Sequence, residues 1–331
     1  MLLIVAFLSS FLLLPFKEEI GDLQNSKLFL IATKLRGSEF KSQKSIPPDK
    51  ICLAEESLKN LPAVPRPKEE KKKENLIVWA KKSVLIDAES GKVIFEDKML
   101  ENQNIASLTK LVTAIVLMDR VKDWNEKVEI SSYAASAGGA TVHFLSGEKF
   151  LAKDLLKAML MNSDNTAARA LAEHFGGAEK EKSFVDLMNQ KVEEMGLKNS
   201  HFADAAGLQD EGAHSCAYDI ALVGLETLKY PMLLEIMQTP SHIEIVSKDE
   251  FSNVHRVGNT NELLGKYSGI LGAKTGFTYS AGYCLLMMRE LPGKGKIVGV
   301  VLDAGQHQRW TEMQKMLDWA YDNYEWSIFP E

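Results

Sequence analysis

Cysteine is scarce in this 331-residue chain, and the three residues present, Cys52, Cys216 and Cys284, stand far apart with no C-x-x-C pair. Thiols scattered in this way exclude a disulfide framework and a thiolate zinc site. The seven histidines form no H-E-x-x-H and no other close pair, so no zinc hydrolase, and no metal, is expected. A nucleotide loop of the form G-x-x-x-x-G-K-[ST] is missing as well. Its nearest approach, "GILGAKTG", has Ala273 where the glycine before the lysine should stand. The adjoining segment, "FTYSAGYCLLMM", is strand-like rather than the helix on which a phosphate would rest. No cofactor is expected. A surplus of basic charge is also lacking: the formal net charge is −6, and residues 76–331 carry 26 Lys+Arg against 35 Asp+Glu. An acidic body of this kind excludes nucleic acid as the main partner.

Long apolar runs are limited to the start. "MLLIVAFLSSFLLLPF" is sixteen residues without a charge, short of the roughly 20 needed to span a bilayer but matched to a signal-peptide core. It has no basic flank and no clean A-x-A site. The expectation is export, to the periplasm or the outer face of the cytoplasmic membrane, with residues 1–16 either cleaved or kept as a membrane anchor. Residues 17–75, with "SIPPDK" and "LPAVPRPKEEKKKEN", read as a flexible tether.

Ordered structure is predicted from residue 76. "SVLIDAESGKVIFEDK" is two apolar runs around a turn at Gly91, a hairpin. "SLTKLVTAIVLMDRV" puts Leu108, Leu111, Val112, Ile115, Val116 and Met118 on one helical face. Helical patterns continue through "AKDLLKAMLMN", "NTAARALAEHF", "EKSFVDLMNQKVEEMG" and "AYDIALVGLETLKY". After residue 240 the pattern turns to strands, and "RWTEMQKMLDWAYDNY" ends it as an amphipathic helix. Strands at both ends with helices between them predict an α+β fold: an antiparallel sheet covered by terminal helices, beside an all-α lobe. The α/β part is expected at about 76–128 and 235–331 and the helical lobe at about 129–234, with a ligand site in the cleft between them.

Three short motifs carry chemistry. Ser107-Leu108-Thr109-Lys110 opens the apolar-faced helix, where positions i and i+3 share a face. A serine hydroxyl becomes a useful nucleophile when a neighbour takes its proton. For the lysine to do so, its pKa must fall from about 10.4 to near 7, a cost of about 4 kcal/mol that burial and nearby cations supply. Two more S-x-x-K tetrads occur, Ser38–Lys41 and Ser146–Lys149, but neither opens such a helix. Ser163-Asp164-Asn165 is the only S-x-N triplet. As a cap, Ser163 or Asp164 bonds the first turn of the next helix; as a site, Ser163 relays a proton and Asn165 orients Lys110. Lys274-Thr275-Gly276 is expected on an edge strand of the cleft. There Lys274, Thr275 and Thr278 grip a carboxylate, and Gly276 lets a substrate backbone lie close.

The motifs S-x-x-K, S-D-N and K-T-G, in this order, are those of penicillin-binding proteins and class A β-lactamases. With "IASLTKLVTA", "GLKNSHFADAAGLQDEGAHSCAYDIALVG", "TNELLG" and "GAKTGFTYSAGYCLL", the sequence resembles the serine D-alanyl-D-alanine carboxypeptidases, the low-molecular-mass penicillin-binding proteins. The match runs over roughly residues 76–325. The resemblance implies that Ser107 attacks the carbonyl of the penultimate D-alanine of a peptidoglycan stem and forms an acyl-enzyme. It implies Lys110 as general base, Ser163 with Asn165 passing the proton to the departing D-alanine, and Lys274, Thr275, Gly276 and Thr278 as substrate-binding residues. The backbone N–H groups of Ser107 and Phe277 are implied as the oxyanion hole, and β-lactams as covalent inhibitors.

The sequence departs from that pattern in places. Many members have Gly or Ala where Asp164 stands, and some have histidine at Phe277. A basic residue that helps hold the carboxylate in some members is represented by Arg309 or His307. The sequence shows no C-terminal β-domain, which leaves residues 1–16 as the expected means of membrane attachment. Among rivals, a class A β-lactamase needs an E-x-x-L-N loop, and "EEMGLKNSHFADAAGL" lacks that spacing, so slow deacylation is expected. A DD-endopeptidase uses the same residues and stays open as the alternative. A non-enzymatic wall-binding protein is disfavoured by three intact motifs.

Overall fold

The structure is a computed structural model that describes residues 64–68 and 76–327. The apolar N-terminal run, most of the tether, Cys52 and the Ser38–Lys41 tetrad lie outside the described residues. The chain divides into two units, Met1–Leu61 and Pro62–Glu331, and every described residue belongs to the second.

One described segment of the expected tether is ordered. Val64–Pro67 is a strand, β1, paired antiparallel with β11, Tyr324–Ser327, from Val64 opposite Ser327 to Pro67 opposite Tyr324. Prolines lack the N–H of a ladder and are confined to edges. Pro65 and Pro67 are two apart, so both missing donors point to the same side and the alternate residues remain free to pair. Lys68 then donates to the carbonyls of Tyr321 and Asp322.

The fold is α+β. Its centre is a five-stranded antiparallel sheet in the order β3–β2–β10–β9–β8. β2 (Lys82–Asp87) and β3 (Val93–Asp97) form the expected hairpin, with Gly91 at φ +72° in the turn. Asp87 Oδ2 accepts from Ser90 N and Oγ there. β8 (Ile270–Thr278), β9 (Gly282–Glu290) and β10 (Lys296–Ala304) form a meander from the other end of the chain. Smaller pairs join β4 (Lys127–Glu129) to β5 (Lys149–Leu151) and β6 (His242–Val246) to β7 (Val254–Gly258).

The central strands read as continuous apolar runs because both sheet faces are covered. Successive side chains point to opposite faces. In β10 this sends Ile297 and Val301 into one core, and Val298, Val300 and Leu302 into another. The first core lies under α8 (Gln308–Asn323), through Trp310, Met313, Met316, Leu317 and Tyr321. The second joins the opposite face to the remaining helices. Of these, α1 (Thr109–Arg120) is buried along nearly its whole length. It touches α4 (Asn165–Phe175), α5 (Glu181–Glu194) and α6 (Ala217–Thr227). The short α2 (Ser132–Ala135) and α3 (Ala152–Lys157) complete the lobe. α6, whose sequence lies in the helical span, packs on β2 and β10, and α7 (Pro231–Gln238) packs on β8. Both therefore help cover the sheet, because the apolar stripe of a helix does not itself specify which surface it will meet.

Candidate active site

The three motifs come from three distant parts of the chain and meet at the free edge of β8. Ser107 lies in a 3₁₀ turn, Ala106–Leu108, that leads directly into α1. It thus precedes the α-helix rather than occupying its first turn. Ser107 Oγ accepts a hydrogen bond from Lys110 Nζ at 2.8 Å, as the i, i+3 spacing predicts. The same amine donates to Asn165 Oδ1 and to the Ala206 carbonyl, each at 2.6 Å. Lys110 is fully buried. Burial is the main cause that lowers its pKa to about 7, opposed by the charges of Asp204 and Asp164 and aided by Arg169. The tetrad at Ser146–Lys149 has no such setting: Ser146 is exposed, and Lys149 pairs with Glu129 on the surface.

The S-D-N triplet divides its labour between cap and site. A π-helical turn, Ala158–Asn162, ends in Ser163 with φ +65°, a left-handed conformation that is costly for a residue with a Cβ. That twist aims Ser163 at β8, where its Oγ accepts from Lys274 Nζ at 2.7 Å. Asp164 is the cap: Oδ1 accepts from Ala167 N, the first-turn donor of α4, and Oδ2 from Val142 N, both at 2.6 Å. Burial pushes the Asp164 carboxyl up from the usual range, and these two amides work against it. Asn165 is fixed at its other end, where Nδ2 donates to the Gly138 carbonyl.

Strand β8 provides the third wall. Lys274 is fully buried. Burial, then the charges of Lys110 and Arg309, push it well below the usual lysine range. Arg309, at the start of α8, lies close enough for its charge to act on Lys274; exposed His307 is not among those influences. The Arg309 guanidinium sits 5.2 Å from the Tyr283 ring centroid, and Tyr283 stacks on Phe277. Thr275 Oγ1 is 3.0 Å from Thr260 Oγ1.

Two residues expected to bind substrate on this strand also have structural contacts. The Thr278 hydroxyl accepts from Ala281 N and meets Ser280 Oγ at 2.9 Å, which closes the β8–β9 turn. The space left by Gly276 faces the turn that carries Ser107. A Cβ there would lie 2.9 Å from the Ile105 carbonyl oxygen and 3.2 Å from Ser107 N. This close approach brings the Ser107 amide beside the strand that carries Phe277.

Sequence reasoning passed over the segment 204–209. Asp204 accepts from the N–H groups of Ala206, Gly207, Leu208 and Gln209, which folds the segment into a tight loop. Its Ala206 carbonyl holds Lys110. Its Gly207, at φ +75°, lies where a Cβ would come within 2.0 Å of the Ala106 carbonyl oxygen. Ala106 itself has φ +50°, so the turn that carries Ser107 is strained and gripped between Gly207 and Gly276. "FADAAGLQD" belongs to the stretch on which the family resemblance rests, and this was the only signal for it. A cavity of about 370 Å³ lies nearby, lined by Tyr133, Glu173, Glu181 and Asp186 among others; Asp204 borders it.

Among the described residues no group of three or more His, Cys, Asp or Glu side chains is arranged to hold a metal ion. No described helix is long and apolar enough to cross a membrane.

Known proteins resemble this chain in sequence and in fold. A family model described as D-alanyl-D-alanine carboxypeptidase matches residues 68–306. The D-alanyl-D-alanine carboxypeptidase DacF of Bacillus subtilis is 36% identical over 251 residues, covering 74% of this chain and 63% of the relative. The D-alanyl-D-alanine endopeptidase of Escherichia coli is 29% identical over 240 residues, covering 72% and 76%. Among solved structures, the D-alanyl-D-alanine carboxypeptidase DacD of Francisella tularensis superposes with a TM-score of 0.71 at 26% identity, over 78% of this chain and 74% of that one. The Streptomyces K15 DD-transpeptidase, at 24% identity, shares the fold with a TM-score of 0.70, over 75% and 99%. The chain spans just over three fifths of the length of the curated carboxypeptidases from B. subtilis and, as DacC, from E. coli. On the matched model and these relatives, the chain belongs to the D-alanyl-D-alanine carboxypeptidase family.

Proposed function

We propose that this protein is a serine D-Ala-D-Ala carboxypeptidase that removes the terminal D-alanine from peptidoglycan pentapeptide stems. One observation carries the reading. Ser107 is hydrogen-bonded to a fully buried lysine whose pKa lies at about 7, so near neutrality a large fraction of Lys110 is a free amine able to accept the serine proton. The Ser107 oxygen attacks the carbonyl of the penultimate D-alanine, and its proton passes to Lys110. The oxyanion that forms is met by the N–H groups of Ser107 and Phe277, each such donor typically worth about 3 kcal/mol. As the C–N bond breaks, Ser163, hydrogen-bonded to Lys274, gives its proton to the departing amine and is reprotonated by the proton held on Lys110, which leaves Lys110 a free base again, while Asn165 holds Lys110 and the substrate amide in register. Water then attacks the acyl-enzyme, with Lys110 again the base, and releases the shortened stem.

The terminal carboxylate is bound by Lys274 and the Thr275 hydroxyl, with Arg309 as the further cation. Lys274 is kept below its usual range by burial and by two neighbouring positive charges. An arriving carboxylate opposes that balance and favours the charged amine. β-Lactams, whose strained amide resembles the D-Ala-D-Ala bond, acylate Ser107 and stay attached. No E-x-x-L-N loop is present to speed their release, and Asp164, spent on capping α4, faces two amides. The substrate places the enzyme outside the cytoplasm, and the apolar residues 1–16 support export with cleavage or retention as an anchor.

A fluorescent penicillin tests the reading: Ser107 should be labelled on the parent and not on Ser107→Ala. Absence of label on the folded parent would sink it. Mass spectrometry of digested muropeptides then separates the second reading, a DD-endopeptidase, which the similarity to the E. coli endopeptidase favours. Pentapeptides shortened by one D-alanine mean carboxypeptidase; crosslinked dimers converted to monomers mean endopeptidase.

A further inference from the structure

Asp204 stands one step behind the reacting atoms, and none of the three motifs includes it. It is 6% exposed, and an unpaired buried carboxylate is expensive. Its two oxygens are instead shared among four backbone N–H groups in a row, from Ala206 to Gln209. The Ala206 carbonyl that results points at Lys110 Nζ from 2.6 Å. Independent ties fix the same loop: Thr113 Oγ1, on α1, donates to the Ala205 carbonyl at 2.7 Å, and Glu181 Oε1 accepts from Ala205 N at 3.1 Å. The charged groups acting on Lys110 are Asp204 and Asp164, which are negative, and Arg169 on α4, which is positive; the Lys274 amine on β8 is also near enough for Lys110 to act on it. Asp204 has the strongest effect among the negative ones.

We propose that Asp204 is the positioning residue of the general base: it ties the 204–209 loop so that the Ala206 carbonyl meets the Lys110 amine, and it sets its own negative charge against that amine. The two parts of this role are separable. The loop decides where the amine points, and so how fast Ser107 is acylated once Lys110 is a free base. The charge decides at what pH the free base appears, because a carboxylate near an amine favours the protonated form. Removing the charge therefore makes the free base available at lower pH. The inference rests on the reading of Ser107 and Lys110 as nucleophile and base.

The test is the second-order rate of acylation by a fluorescent penicillin between pH 5 and 9, with the thermal melt of each variant. In Asp204→Asn the plateau should fall about tenfold or more, as misplacement of a reacting group predicts, and the acid limb should move down by about one pH unit. Thr113→Val loosens the same loop without changing charge, so its plateau should fall with the acid limb unmoved. An unmoved limb in a folded Asp204→Asn overturns the assignment, as does an equal shift in Thr113→Val. Asp204→Ser is made in parallel, since the new amide group in Asn faces the Gln209 N–H. Loss of fold in both Asp204 variants assigns the residue to folding alone and also overturns the proposal. Absence of label on the folded parent defeats the carboxypeptidase reading instead, and the two failures are thus distinct.

Discussion

At the residue scale the site is governed by two buried amines that differ in the charges around them. Lys110 donates to Ser107 Oγ, Asn165 Oδ1 and the Ala206 carbonyl and feels two carboxylates, whereas Lys274 donates to Ser163 Oγ and the Thr275 carbonyl and feels two cations. Burial lowers both, because it penalises the charged form. The sign of the pH dependence is set by Lys110. Its pKa is lowered to about 7, so below that value the free base is lost and acylation should fall about tenfold per pH unit. Rates of penicillin acylation between pH 5 and 8 check this, and a flat profile would contradict Lys110 as base. Thr275→Ala removes a hydroxyl from the carboxylate grip. It should slow acylation about tenfold, the loss of a hydrogen bond to a charged group, while the thermal melt stays unchanged.

At the element scale, the decisive contact is that of β8 with the 3₁₀ turn. Gly276 allows the strand to approach until a Cβ would press on the Ile105 carbonyl and the Ser107 amide. Gly276→Ala must push the turn away from the strand, and acylation should fall about a hundredfold, the order expected for a displacement near 1 Å. A folded Gly276→Ala that acylates at the parent rate would show that the contact does not position Ser107. That β8 is an edge strand was legible in the sequence, because "GAKTGFTYSAGYCLLMM" carries a turn and an apolar run after the lysine. The true neighbour of Gly276 was not legible, since the turn it touches lies about 170 residues earlier in the chain and no local pattern records that meeting. The same holds for the S-D-N triplet. Helix capping was the expected role of Ser163 or Asp164, and the structure gives it to Asp164, which frees Ser163 to turn left-handed toward Lys274.

At the scale of the whole molecule, the fold is held together in part by β1 and β11, which lie away from the Ser107 turn. Trp326, on β11, donates from Nε1 to Asp87 Oδ1 at 2.7 Å and packs against Gly295, where a Cβ would meet its ring at 2.0 Å. It also lies against Tyr321. The clasp of β1 with β11 thus closes over the β2–β3 turn and the end of α8, far from the Ser107 turn in the sheet order. Trp326→Ala should destabilise the fold by about 2 kcal/mol, within the usual range for lost packing and a broken, partly buried hydrogen bond. The acylation rate of the protein that stays folded should not change. Chemical denaturation and penicillin labelling together check both halves.

The sequence by itself determined the α+β architecture, since its periodicities alternate strand, helix, strand, and it pointed to the three motifs that the structure brings together. It also singled out Ser107 from among three similar tetrads, because only that one leads into a helix with a buried face. Tertiary structure decided what no local pattern holds. It gave Thr278 a place in the β8–β9 turn, set Gly276 against the turn that carries Ser107, put Arg309 near Lys274, and brought in Asp204 and the Ala206 carbonyl. The physical reason is range. Helical and strand periodicities and caps act within a few residues of the chain. The acceptors and charges that tune a buried lysine come from wherever the folded chain brings them within a few ångströms.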